Sequence, residues 1–294
     1  MTFLAALLID GALTGAVYAL IALAFVVVYK ASRMINFAVG ECVTLAARLV
    51  ALGLHGLGLG LGGGVLVGCA GMVAVMVGFN EAVVRRLAGR PVIALIMITI
   101  GLAALVRGST ALLLGRVPTR IVAAHPEPIL LAGSVPVAVE KIAAALIAMI
   151  CIATVSWALQ RSRTGVALRA LADDQQSAMA LGIDLHRYFG LTWGLMGLIA
   201  VVAGTLWTVV SGSGFGMALV GLKVFPIVII GGLDSIGGTI VGAILVGVLE
   251  SLAAGYIDPL VGGGFSTIAS YLVLLAVLFV RPYGLFGRPD TRRV

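Results

Sequence analysis

Residues 161–190 read RSRTGVALRALADDQQSAMALGIDLHRYFG. Seven of them carry a full charge: Arg161, Arg163, Arg169, Asp173, Asp174, Asp184 and Arg187. The apolar runs on either side, 142–159 and 191–210, carry none. Each flank is close to the ~20 residues a helix needs to cross a hydrocarbon core. The stretch is therefore a charged island between two membrane spans.

The rest of the chain agrees. Of 294 residues, 61% are hydrophobic and only 11% charged, with a mean hydropathy of +1.19. A soluble domain carries about 25% charged residues, because even a large core needs a wetted surface. The expected class is an all-α, polytopic integral membrane protein in contact with lipid, one domain over residues 1–294. The 40 glycines fit it, since small residues let membrane helices approach closely. A net charge of +7 does not point to nucleic acid, because the basic residues sit in short clusters between apolar runs, as topology signals do. Cys42, Cys69 and Cys151 are far apart in apolar stretches and form no CxxC, so neither a metal site nor a disulfide framework is expected. The apolar N-terminal stretch has no basic residue before it and is longer than a signal-peptide core, so it reads as a retained span.

Hydropathy places about nine spans, within a range of eight to ten: 3–29, 35–54, 62–84, 92–114, 142–159, 188–210, 221–232, 239–254 and 267–280. The first carries Asp10 and two glycines and the seventh is short, so either is a candidate for a broken or re-entrant helix. Thirteen of the 19 basic residues cluster at Lys30 and Arg33, at Arg85, Arg86 and Arg90, in the island, and at Arg281, Arg288, Arg292 and Arg293. Nine spans put all four clusters on one side. The positive-inside bias then makes the island and C-terminus cytoplasmic and the N-terminus external. The connection 115–140, with Pro118, Pro126, Pro128 and Pro136, would be external. The run GLGLGLGGG over 56–64 reads as a flexible external turn. Its chance GxGxxG lacks the strand-to-helix context of dinucleotide binding.

Within the island, Val166, Leu168, Leu171 and Ala172 share a rough face of one short helix. Asp173, with Gln176 three residues later, stands where a capping box belongs. A second short helix would follow over 174–181, with Ala178, Met179 and Leu181 apolar, and Gly182 supplying a left-handed stop. A solvated loop and a docking surface for a soluble partner both fit this pattern. A lipid anchor fits less well, for want of a broad apolar face.

Charged residues inside spans are costly and favour a bundle interior or a water-filled path. Asn36, Glu41 and Thr44 are candidates to line such a path, and Glu41 can equally be a structural polar lock. Arg48, Arg107, Lys223 and Glu250 lie near span ends, where snorkelling to the interface is expected. In GGLDSIGG, Asp234 and Ser235 are expected to cap the following helix. Gly231 and Gly232 would let the backbone break there, a candidate hinge or gate. GxxxG spacings at Gly64/Gly68, Gly190/Gly194 and Gly238/Gly242 read as packing seams.

The island sequence resembles the cytoplasmic coupling region, 161–187, of permeases in branched-chain amino-acid ABC importers. DGALTGAVYALIALAFVVVYKASRMINFAVGE resembles the N-terminal signature of that family, GRPVIALIMITIGLA its fourth-span region, GLKVFPIVIIGGLDSIGGTIVGAILVGVLE its Gly-rich signature, and RPYGLFGRP its tail. The short N-terminus resembles the shorter, H-type permease of the pair such importers use. Val39 stands where the family commonly has His, and Gly237 where it commonly has Pro. The resemblance implies a type II-like ABC importer transmembrane domain in the bacterial inner membrane. Implied partners are a second homologous permease, two cytoplasmic ATPases that bind ATP and magnesium, and an external solute-binding protein. The implied cargo is branched-chain amino acids or related small amino acids, amides, urea or carboxylates. It also implies that Leu171, Ala172, Ala178, Met179 and Leu181 pack against an ATPase, with Arg169, Asp173 and Asp174 at the rim and Gly182 ending the helix.

No ATP site or cofactor site is expected within the chain itself. A Walker A needs Gly-Lys-Ser/Thr, and Lys30, Lys141 and Lys223 follow Tyr29, Glu140 and Leu222. An intramembrane enzyme is disfavoured, since His55, His125 and His186 all fall in connections and no HExxH occurs. The competing reading is a self-contained carrier or channel driven by an ion gradient, which needs a carboxylate cluster at the midplane.

Overall fold

A computed structural model describes residues 2–87, 92–118, 121, 129–131, 135–211 and 217–287. Arg90, Arg288, Arg292, Arg293, Pro126, Pro128 and His125 lie outside the described residues. In order, the elements are α1 (Thr2–Ser32), α2 (Val39–Ala51), α3 (Gly60–Ala82), α4 (Val92–Leu114), β1 (Ile129–Leu131), β2 (Val135–Val137), α5 (Val139–Arg161) and α6 (Arg163–Asp173). They continue with α7 (Gln175–Ala180), α8 (Leu185–Ser211), α9 (Met217–Gly231), α10 (Ile236–Leu252), α11 (Asp258–Val261) and α12 (Phe265–Val280). A turn of π-helix, Leu52–Gly56, extends α2.

Every expected span is a helix. Among the described residues, seven stretches are long and apolar enough to cross a membrane, while the apolar parts of α9 and α12 are shorter. The protein is a multi-pass membrane protein of helical build. Among the described residues, the connection between α4 and α5 adds an antiparallel hairpin, with Ile129 opposite Val137.

The first span is not broken. Helix α1 runs uninterrupted through Asp10, Gly11 and Gly15, because each feature has a partner. Asp10 forms an ion pair with Lys141 of α5. A Cβ on Gly11 would lie 2.6 Å from Val248 Cα, and one on Gly15 2.8 Å from the Ala243 carbonyl. The two glycines are thus the groove into which α10 packs, the small-residue seam of closely approaching membrane helices. Helix α1 is the buried axis of the molecule, its side chains from Ala16 to Val28 almost wholly covered.

The expected seams also hold. Gly64 and Gly68 meet Val50 of α2, Gly194 meets Val77 of α3, and Gly242 meets the Ile227 carbonyl of α9. The run 56–64 is not wholly a turn. Gly58 and Gly60 take positive φ, and α3 then starts inside the run at Gly60.

One end of the molecule gathers the island, the α1–α2 connection, the α9–α10 turn and the C-terminal segment. Lys30, Arg33, Arg169, Asp173, Ser235 and Phe286 border a polar cavity of about 510 Å³ there. Beside it the Leu285 amide donates to the Ile230 carbonyl (2.8 Å) and the Phe286 amide to Gly231 (3.2 Å). The RPYGLFG segment thereby satisfies carbonyls that the end of α9 leaves open.

Candidate functional site

The island consists of α6 and α7. Ser162 caps α6, its hydroxyl accepting from the Gly165 amide (3.0 Å). Arg169 does not stand at an outer rim as expected. Its guanidinium turns back and donates to the Leu159 (2.9 Å) and Gln160 (3.4 Å) carbonyls. There it neutralises the negative end of α5.

The cap between the two helices is Asp174 rather than Asp173. Asp174 Oδ1 accepts from the Gln176 (2.9 Å) and Ser177 (3.3 Å) amides, and the Ser177 hydroxyl donates to Oδ2 (2.6 Å). Asp173 is still the last helical residue of α6, where its carboxylate has no free amides ahead of it. Gly182 ends α7 at φ +85°, as its lack of a side chain allows.

The apolar residues of the island divide. Leu171 is fully covered and Ala178 is 2% exposed, both within the subunit's own core. Met179 and Leu181 face outward at 46% and 83% exposure. Ala172 is half-buried and Asp173 exposed. The helical pattern alone does not separate the two sets, because an inward face and a docking face look alike in a short sequence.

At the start of the second span the chain is irregular for six residues before α2 begins. Asn36 is fully buried, and its Oδ1 accepts from the Ala38 amide (2.9 Å). Thr99 of α4 holds the same segment, its hydroxyl donating to the Ile35 carbonyl (3.2 Å) and accepting from the Phe37 amide (3.3 Å). Irregular backbone at such depth survives only when protein satisfies it. Thr44 donates to the Gly40 carbonyl (2.9 Å) and so is engaged within its own helix.

Glu41 has a partner that spacing does not reveal. Arg107 of α4 donates Nε (2.9 Å) and Nη2 (2.5 Å) to Glu41 Oε1. The Glu41 side chain is 7% exposed and that of Arg107 71%. Snorkelling does not describe Arg107, since it stands seven residues, about 10 Å, from the end of α4 and reaches sideways to α2. Beside the pair, Phe37, Gly40, Ala103, Gly221, Leu222 and Phe225 line a cavity of about 320 Å³.

Lys223 and Glu250 do not snorkel either. Lys223 Nζ donates to Glu250 Oε2 (3.0 Å), and the Tyr18 hydroxyl donates to the same oxygen (3.0 Å). Trp207 of α8 stacks on Tyr18 at 5.4 Å between centroids. This closed cluster joins α1, α9 and α10, and its only sequence signal was the cost of a lone charge in a span. Arg48 does reach a helix end, donating to the Leu114 (2.8 Å) and Val117 (3.3 Å) carbonyls beyond α4.

The GGLDSIGG segment is a tight connection between α9 and α10. Gly232 takes φ +103°. The Ser235 hydroxyl accepts from the Gly238 amide (3.0 Å) and so caps α10, as expected. Gly231 meets the Gly238 carbonyl so closely that a Cβ would lie 2.4 Å from it. Asp234 borders the polar cavity and caps nothing.

Similarity to known proteins follows the whole length of this architecture. The chain is 28% identical to the high-affinity branched-chain amino acid transport system permease protein LivH of Escherichia coli K12, over 97% of this chain and 96% of that one. It is 27% identical to the corresponding permease protein BraD of Pseudomonas aeruginosa, over 98% and 97%. Among solved structures, PsaBC from Streptococcus pneumoniae in complex with Fab aligns over 94% of this chain and 92% of that one, with a TM-score of 0.48 and 16% identity. Residues 7–281 match the family described as branched-chain amino acid transport system / permease component, and the chain belongs to that family.

Proposed function

We propose that this chain is one permease half of an ATP-driven importer carrying branched-chain amino acids or related small amino acids, amides, urea or carboxylates. The observation that carries the reading is the Arg107 side chain, 71% exposed in the body of a span and anchored to the nearly buried Glu41. A guanidinium facing lipid at that depth is costly. The face made by α2, α4 and α9 therefore borders a water-filled path or a second permease. A homologous permease closing the path from the other side meets both needs.

The island supplies the other half of the reading. Helix α6 is seated on α1, α5 and α8 and carries α7 against it, with Met179 and Leu181 projecting outward. Two cytoplasmic ATPases, which bind ATP and magnesium, take this projection, and an external solute-binding protein delivers the cargo. Leu171 and Ala178 brace the island from within, so a push on Leu181 reaches the spans. The N-terminus faces outward and the island and C-terminus lie in the cytoplasm of a bacterial inner membrane.

An ion-driven carrier is less well supported. Among the described residues no three His, Cys, Asp or Glu side chains gather to hold an ion, and Glu41 and Glu250 are each neutralised by a separate cation. The test is uptake into proteoliposomes holding the reconstituted importer, with ATP inside or with an ion gradient alone. Uptake that needs only the gradient removes the ATP-driven reading.

A further inference from the structure

We infer that Glu41, Arg107 and the Phe37–Phe225 wall form a transit subsite for the zwitterionic end of an α-amino acid, an assignment that rests on the importer reading above. The Lys223–Glu250 pair covers both of its partners, at 16% and 10% exposure. In the Glu41–Arg107 pair the carboxylate is sheltered and the guanidinium lies open beside a cavity of about 320 Å³.

The hydrogen-bond pattern leaves capacity at both charges. Arg107 directs Nε and Nη2 to the single oxygen Oε1. Among the described residues, Glu41 Oε2 and Arg107 Nη1 take no hydrogen bond. The pair is neutral in sum and still offers one acceptor and one donor edge. An α-amino acid presents an ammonium and a carboxylate across one carbon. Its ammonium fits Oε2 and its carboxylate fits Nη1, two charge-assisted hydrogen bonds that add no net charge to the span.

The remainder of the cavity suits an apolar side chain. The rings of Phe37 and Phe225 lie 4.6 Å apart between centroids, with Leu222 and Ala103 beside them. Helices α2 and α9 touch at Gly40 and Gly221, where a Cβ on Gly221 would come 2.4 Å from Gly40 Cα. The ion pair also limits affinity. Glu41 already takes Nε and Nη2, so the substrate carboxylate is left one guanidinium edge and is held weakly. A transport path needs such a site, favourable enough to enter and weak enough to leave.

The experiment uses the complete importer in proteoliposomes with its binding protein, and measures ATP-dependent uptake of labelled L-leucine and glycine. Each variant's rate is divided by the wild-type rate for the same substrate, which cancels the selectivity of the binding protein. Glu41→Gln keeps the shape and removes the charge, and uptake of both amino acids is expected to fall about tenfold at unchanged complex yield and melting temperature. Ala103→Phe narrows the apolar part, and leucine uptake is expected to fall about tenfold further than glycine uptake. Wild-type rates in both variants overturn the subsite and leave the importer reading standing. Equal loss of both substrates in Ala103→Phe, with reduced complex yield in Glu41→Gln, marks a structural lock and also overturns it. Absence of ATP-dependent amino-acid uptake by the wild type overturns the importer reading and the subsite with it.

Discussion

Lys223 of α9 stands 3.0 Å from Glu250 of α10, and the Tyr18 hydroxyl of α1 donates to the same carboxylate oxygen. Helix α1 is thus tied to the consecutive helices α9 and α10 by one cluster, with both charged side chains largely covered. Removing one partner of such a pair leaves an unpaired buried charge.

Glu250→Ala is therefore expected to cost about 3–5 kcal/mol, whereas replacing both members with apolar residues costs much less. Melting of the purified protein in detergent for Glu250→Ala and for Lys223→Met/Glu250→Leu checks this. Equal melting temperatures for the two would show that the pair does not hold α9 to α10.

The α1–α10 seam predicts a contrast between glycines. Gly15→Val drives side-chain atoms into the α10 backbone, an overpacking of about 1–3 kcal/mol or more. Gly108 of α4 has open space where a Cβ would go. Gly108→Ala is expected to be neutral or to stabilise by about 0.5–1 kcal/mol through helix propensity. Detergent melting of the two variants reads both effects.

Asp174→Ala removes the cap of α7 and is expected to cost that short helix about 1 kcal/mol. Asp173→Ala should be silent. Leu181→Asp places a charge on the projecting tip and should abolish co-purification of the ATPase while insertion and melting stay normal. Ala178→Asp and Leu171→Asp bury a carboxylate in the subunit's own core and should lower melting as well. Retention of the ATPase by Leu181→Asp would sink the docking assignment.

Orientation can be read by labelling. In a background where the native cysteines are replaced by Ala or Ser, Leu57→Cys is expected to react with an impermeant maleimide in intact cells. Leu181→Cys should react only after the membrane is opened. Both side chains are exposed, and expressing the permease without its ATPase leaves the membrane to control access. Labelling of Leu181→Cys in intact cells would reverse the topology.

The sequence by itself determined the class, the spans, the family resemblance and the two-helix island. The resemblance rests on the motifs, and the rest on local physics. Lipid requires every span to satisfy its own backbone, so an apolar run of the right length is a helix wherever it packs. Caps act within three residues, which is why Ser235 and Gly182 were legible and the choice between Asp173 and Asp174 missed by a single position.

Tertiary structure decided the partners. Glu41 and Arg107 lie 66 positions apart, and Tyr18 and Glu250 lie 232 apart. The sequence showed only that each charge had a cost to offset, because pairing depends on which helix faces come together. Burial of Leu171 and Ala178 beside an exposed Leu181 was settled the same way. A short helix has two apolar uses, inward packing and outward docking, and only the helices beneath it choose between them.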